Sequence, residues 1–120
     1  MDILYVENHA AFARQVTTAF LGSHEVTVVP TIRQARTELA AHNWDAVLID
    51  YDLDDGKGIE LVLELACKTP RPHLIAVSAF EHKNQEMMKG GADAQCSKLD
   101  FKDIGATLAG LEKSGTGDYT

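Results

Sequence analysis

The chain has 120 residues, of which 45% are hydrophobic and 24% charged, with a formal net charge of -7. That length fits one domain around one core, and the acidic balance argues against sequence-independent binding to nucleic acid or to an anionic membrane surface. No apolar stretch approaches the ~20 residues of a membrane span, and Met1-Asp2 runs straight into Ile3 without the basic start of a secretory signal, so a cytoplasmic protein is expected.

The first apolar run, Ile3–Val6, is continuous, as in a strand buried on both faces, and it ends at Glu7-Asn8. Phe12, Val16 and Phe20 then recur every four residues and mark a helix. Val26–Val29, a continuous β-branched run of the kind buried on both faces, is a second strand. Thr31 is placed to cap a second helix whose stripe is Ile32, Ala35 and Leu39. Ala46–Ile49, the third strand, opens into the acidic loop Asp50-Tyr51-Asp52-Leu53-Asp54-Asp55-Gly56-Lys57-Gly58. A carboxylate at the end of a buried strand loses water that the interior cannot replace. Asp50, Asp52, Asp54 and Asp55 together call for a cation or a covalent group to offset them.

Ile59, Val62, Leu65 and Ala66 form the third helical stripe, and Leu74–Val77 is a fourth strand that ends at Ser78. Met87 and Met88 lie on a short fourth helix closed by Gly90-Gly91. A weaker strand, Ala94–Cys96, stops just before Lys98, and Ile104, Leu108 and Leu111 mark a fifth helix. All these stripes are read as core. The domain is expected to span 1–113, with 114–120 as a flexible tail or the start of a linker.

Five strand–helix units imply an α/β fold, a doubly wound five-stranded parallel sheet of flavodoxin-like type. The second and fifth strands carry the weakest apolar character and suit the edges, which gives the order 2-1-3-4-5. Cys67 and Cys96 are too few for a disulfide framework or a zinc site and are expected to be small buried thiols. The five histidines are scattered, without the spacing of a helical metal pair, and are assigned surface or loop roles.

In a parallel sheet all strands deliver their last residues to one edge, where ligands bind. Here that edge receives Glu7, Asn8, Asp50, Ser78 and Lys98. The chemistry that uses such a set is phosphoryl transfer to a carboxylate, with Asp50 as the nucleophile that forms an acyl phosphate. Mg²⁺ takes hard oxygen ligands. Asp50 and the Asn8 side-chain oxygen offer two, and Glu7 acts directly or through water. Ser78 would donate to a phosphoryl oxygen and Lys98 would pair with the phosphate. Gly56 and Gly58 let the loop turn sharply beside the site.

These segments resemble the receiver domain of two-component response regulators over about residues 2–113. The resemblance rests on Ile3-Leu-Tyr-Val-Glu7-Asn8, on Val47-Leu-Ile-Asp50 with Gly58 eight residues on, on Ala76-Val-Ser78-Ala79, and on Gly91-Ala-Asp-Ala-Gln-Cys-Ser-Lys98. It implies that Asp50 is the phosphoacceptor, Ser78 the switch hydroxyl, Lys98 the phosphate-pairing lysine, and the backbone carbonyl of Asp52 a metal ligand. The implied donor is a sensor histidine kinase or phosphotransfer protein. The implied output is a conformational change of the fourth helix–fifth strand–fifth helix face, which would contact a downstream effector or a second copy. The domain would not be an enzyme beyond catalysing its own phosphorylation and dephosphorylation.

Three positions depart from the family pattern. Asn8 stands where a second acid is usual, and losing a unit charge ~4 Å from a dication removes about 8 kcal/mol of gross attraction at an effective dielectric near 20. Rehydration returns most of that, so weakened rather than absent Mg²⁺ binding is expected. The Asp52 side chain is available to compensate. Gln95 replaces the switch aromatic, which leaves loop or backbone movement, or Phe80, to carry a signal. Leu99 replaces a proline after Lys98, and a trans peptide is expected there, with the Lys98 ammonium seated less firmly over the site. The alternative reading is a degenerate receiver, a protein-interaction module that works without phosphorylation. A haloacid-dehalogenase-type phosphatase is disfavoured because two strand–helix units precede Asp50. A calcium loop is disfavoured by Asp55 and Leu61 at its glycine and glutamate positions.

Overall fold

Apolar runs and helical stripes alternate in the computed structural model as the pattern requires. It describes residues 1–117, with side chains through Glu112. The elements are β1 (Asp2–Val6), α1 (Ala10–Phe20), β2 (Glu25–Val29), α2 (Ile32–Ala41), β3 (Ala46–Ile49), β4 (Asp52–Leu53), β5 (Gly56–Lys57), α3 (Gly58–Ala66), β6 (His73–Ala76), α4 (Glu81–Lys89), β7 (Ala94–Gln95) and α5 (Ile104–Gly117). A 3₁₀ segment, Lys98–Asp103, leads into α5. The last three residues of the tail expected at 114–120 lie outside the described residues.

Five strands form one parallel sheet in the order β2-β1-β3-β6-β7, which is the expected 2-1-3-4-5 once the small β4–β5 hairpin is set aside. One core, under α2, α3 and α4, gathers Leu4, Val6, Val47, Ile49, Leu61, Leu65 and Met87. The other, under α1 and α5, gathers Ile3, Tyr5, Val16, Leu48, Ile75, Ile104 and Leu108. Alternate residues of β1 and β3 therefore feed opposite cores, which is why both strands read as unbroken apolar runs.

Several local readings need correction. β2 was read as a run buried on both faces, yet only Val29 of the strand is buried, because an edge strand has one neighbour and thin cover. Phe20 is 42% exposed rather than in the core, since Ala13 and Val16 set the inward face of α1. Cys67 is exposed and only Cys96 is buried. Thr31 does cap α2, accepting from Gln34 N. Phe101, in the 3₁₀ segment, is a core residue that the periodicity missed; its ring stacks on Tyr5 with centroids 5.9 Å apart.

Strand register sets the height of the functional edge. β1 pairs with β3 from Ile3↔Ala46 to Val6↔Ile49, so Glu7 and Asp50 leave neighbouring strands at one level. β3 pairs with β6 up to Ile49↔Ala76, which puts Ser78 just beyond that level.

Candidate functional site

Asp50 follows a strand paired on both sides, so its backbone is fixed: its N–H donates to Val6 O at 3.0 Å. The residue is 4% exposed and Glu7 beside it 1%. Lys98 Nζ lies 2.5 Å from Glu7 Oε1 and 3.0 Å from Asp50 Oδ2, bridging the two acids. Nζ also lies over the Phe12 ring, 5.3 Å from its centroid. The expectation that Leu99 would leave Lys98 less firmly seated is not met. Thr69–Pro70 is the cis peptide among the described residues, so Lys98–Leu99 is trans, as expected, and the ammonium still reaches the acids.

Burial pushes the Asp50 carboxyl up to about 6, with the Glu7 charge adding to that and Lys98 opposing it. For Glu7, burial also pushes upward, but the hydrogen bond and charge of Lys98, with the His9 N–H, hold the carboxyl below its ordinary value. Asp50 Oδ1 accepts from Tyr51 N at 2.8 Å, and the Tyr5 hydroxyl donates to Glu7 Oε1 at 3.5 Å.

The other acids of the loop are taken up elsewhere, which corrects the reading of four unpaid charges. Asp52 pairs with Lys57 at 2.7 Å and with Lys83 of α4, and those lysines hold its carboxyl low, so its side chain is not free to replace a missing acid. Asp54 accepts from Asn8 Nδ2 at 3.1 Å. Asp55 accepts from Ile32 N and Arg33 N at 2.9 and 3.0 Å and so caps α2 together with Thr31. The β4–β5 hairpin that makes this possible was not foreseen, since two-residue strands carry no periodic signal.

Gly58 holds the loop against the strand. Its N–H donates to Tyr51 O at 2.6 Å, and a Cβ there would stand 2.0 Å from Asp50 O. No other residue fits.

Ser78 is 3% exposed; its Oγ accepts from Phe80 N at 3.2 Å, which leaves its own hydrogen to donate. Its carbonyl accepts from Lys98 N at 3.3 Å, tying the two residues through the backbone. Asn84, which the sequence reading missed, fixes Ser78 from both sides: Oδ1 accepts from Ser78 N at 2.8 Å and Nδ2 donates to Ser78 O at 2.9 Å. A buried Asn inside a polar stretch of α4 gives no periodic signal. Gln95 lies away from this group, exposed, donating to Glu81 Oε1 at 3.2 Å.

A cation fits the donor set. Glu7 and Asp50 carry two negative charges against one ammonium, and Asn8 Oδ1 is shielded from solvent with no hydrogen-bond partner. Candidate ligand atoms of Glu7, His9 and Asp50 all lie within 4.8 Å of one another. His9 is exposed in the loop before α1, as expected, and its ring turns onto Glu7.

A family model described as the response regulator receiver domain matches residues 3–108. No curated protein matches the chain. Among solved structures, a receiver domain of a Francisella response regulator superposes with a TM-score of 0.84 at 21% identity, over 95% of this chain and 98% of that one. A Thermotoga maritima response regulator, in complex with Mg²⁺ and BeF, gives 0.82 at 19% identity, over 92% and 97%. The signal receiver domain of a Syntrophus aciditrophicus histidine kinase gives 0.82 at 17% identity, over 94% and 90%. At these identities the structural likeness speaks for the fold, and the family match for membership.

Proposed function

The chain belongs to the response regulator receiver family, and we propose that it is a phosphoacceptor domain that takes a phosphoryl group on Asp50 from a phosphohistidine. The observation that carries this reading is the buried Glu7–Lys98–Asp50 bridge at the end of the sheet. The donor would be a sensor histidine kinase or a phosphotransfer protein.

In the transfer, an Asp50 carboxylate oxygen bonds to phosphorus as the P–N bond breaks, and the electron pair returns to the imidazole nitrogen, which takes up a proton. Asp50 must be ionised to attack, and Lys98 favours that form against the burial that opposes it. The Ser78 hydroxyl donates to a phosphoryl oxygen, with its backbone held by Asn84. Lys98 transfers its pairing from the carboxylates to the new dianion. Glu7, Asn8 Oδ1, Asp50 and the Asp52 carbonyl are the groups to hold a divalent ion such as Mg²⁺, which when bound neutralises charge on the phosphoryl oxygens. The output is a shift of the face built from α4, β7 and α5, read by an effector protein or domain or by a second copy.

The degenerate-receiver alternative draws on Asn8, whose amide is committed to Asp54. Incubation with acetyl phosphate and a divalent ion, followed by intact mass, separates the two. One labile phosphoryl group on wild type and none on Asp50→Asn supports the acceptor; no gain on either overturns it. In a Mg²⁺ titration, Asn8→Asp binds more tightly than wild type; equal affinities would remove the idea that Asn8 weakens the site.

A further inference from the structure

His9 stands at the N-terminal boundary of α1 and makes no side-chain capping hydrogen bond there. Its ring folds back instead, and Nδ1 lies 3.3 Å from Glu7 Oε2, on which the His9 N–H also converges at 3.2 Å. Glu7 is thereby divided: Oε1 faces Lys98 and Oε2 faces the imidazole. The His9 side chain is 70% exposed, so an ion reaches it from solvent.

Two ligands about 2.1 Å from one ion stand about 4.2 Å apart when they lie on opposite sides of it. Ligand atoms of Glu7, His9 and Asp50 within 4.8 Å of one another therefore need little adjustment to share an ion. Asn8 Oδ1, shielded and without a hydrogen-bond partner among the described residues, is a further oxygen on the same loop.

We infer that His9 is a ligand of the cation site, and that its nitrogen makes the site prefer a borderline divalent transition ion, of the Mn²⁺, Co²⁺, Ni²⁺ or Zn²⁺ class, over Mg²⁺. This rests on the cation reading above. Mg²⁺ is bound by hard oxygens and gains most from full carboxylate charge, whereas imidazole suits the transition ions. Replacing an acid by Asn8 takes charge from the first kind of ion; adding His9 supplies a ligand to the second.

The test titrates Co²⁺ and Mg²⁺ separately into the full chain by calorimetry, with Co²⁺ also followed by its visible absorption. Wild type, His9→Ala and Asp50→Asn are compared, each checked for folding by circular dichroism. His9→Ala should lose about tenfold or more in Co²⁺ affinity, as even supporting residues of metal sites do when removed. Its Mg²⁺ affinity should stay unchanged, and Asp50→Asn should weaken both ions. Equal losses for both ions in His9→Ala would make His9 a positioning residue acting through Glu7, and an unchanged Co²⁺ affinity would make it a surface side chain; either overturns the proposal. Wild type that binds neither ion would instead overturn the cation reading itself.

Discussion

The centre of this sheet and its β7 edge are built to different standards. β3 is paired over its full length with β1 and β6, and the residues that follow it are held by several partners each. Asp50 has Lys98, the Tyr51 N–H and Val6 O; Gly58 is pressed against its carbonyl. β7 contributes two residues and, among the described residues, pairs only with β6. Around it Gln95 is exposed and tied by one hydrogen bond, while Phe80 and Leu99 are 56% and 78% exposed. A buried site has no water to correct a misplaced charge, so it needs backbone and side-chain partners fixed in advance. An exposed edge tolerates several arrangements.

That contrast makes graded predictions. The largest effect is expected from Gly58→Ala, whose new Cβ meets the Asp50 carbonyl and must displace loop or strand. A loss on the order of 4 kcal/mol is expected in urea unfolding, near the top of the range for single substitutions. A loss under half of that would show the loop to be looser than its contacts suggest.

Lys98→Met comes next. It leaves two adjacent buried carboxyls without their cation, and about 3 kcal/mol is expected at pH 8 in metal-free buffer. Burial already raises the Asp50 carboxyl to about 6, so in the folded protein its proton is favoured. Stability from that group is present at low pH and lost as pH rises through about 6. Without Lys98 that loss deepens, so the gap between variant and wild type must widen from pH 5 to pH 8. A gap independent of pH would mean that packing of the lysine stem, not charge, is at work.

Asp93 tests the outer part of the sheet. Burial pushes its carboxyl up, but the Arg71 fork at 2.8 and 2.9 Å and the Leu74 N–H outweigh that and hold it low. Its contribution is therefore present above the ordinary carboxylate range and lost as pH falls through the lowered folded value. Asp93→Asn should cost about 1 kcal/mol at pH 7, the upper end for a partly exposed pair. The difference should vanish at low pH in thermal unfolding. Smallest of all, Gln95→Ala should change stability by less than about 0.5 kcal/mol; a larger loss would show β7 to be as tightly specified as β3.

How far the sequence reaches follows the same division. β1, β3 and β6 were legible because strands covered on both faces must be apolar throughout, β2 showed through its β-branched residues despite thin cover, and the fifth was visible as a short run before Lys98. Helical stripes were legible wherever a helix had one clear inward face; they failed at Phe20, where a neighbouring alanine and valine took the core side. Lys98 and Asp50 could be placed at one edge from strand order alone. Asn84 could not be found, because its role is to hold the Ser78 backbone in the loop before its own helix, a bond that leaves no periodic mark, and neither could the separate fates of Asp52, Asp54 and Asp55.

The sequence by itself determined the element order, the parallel sheet and the edge where Glu7, Asp50, Ser78 and Lys98 assemble, because apolar period and strand direction are local properties. Tertiary structure alone decided which charges remain for chemistry. Three of the four loop carboxylates found partners on α2, β5, α4 and the β1–α1 loop. His9 came to face Glu7. Pairing between charges depends on distances that chain spacing does not encode, and a carboxylate's reactivity depends on what those distances leave unpaired.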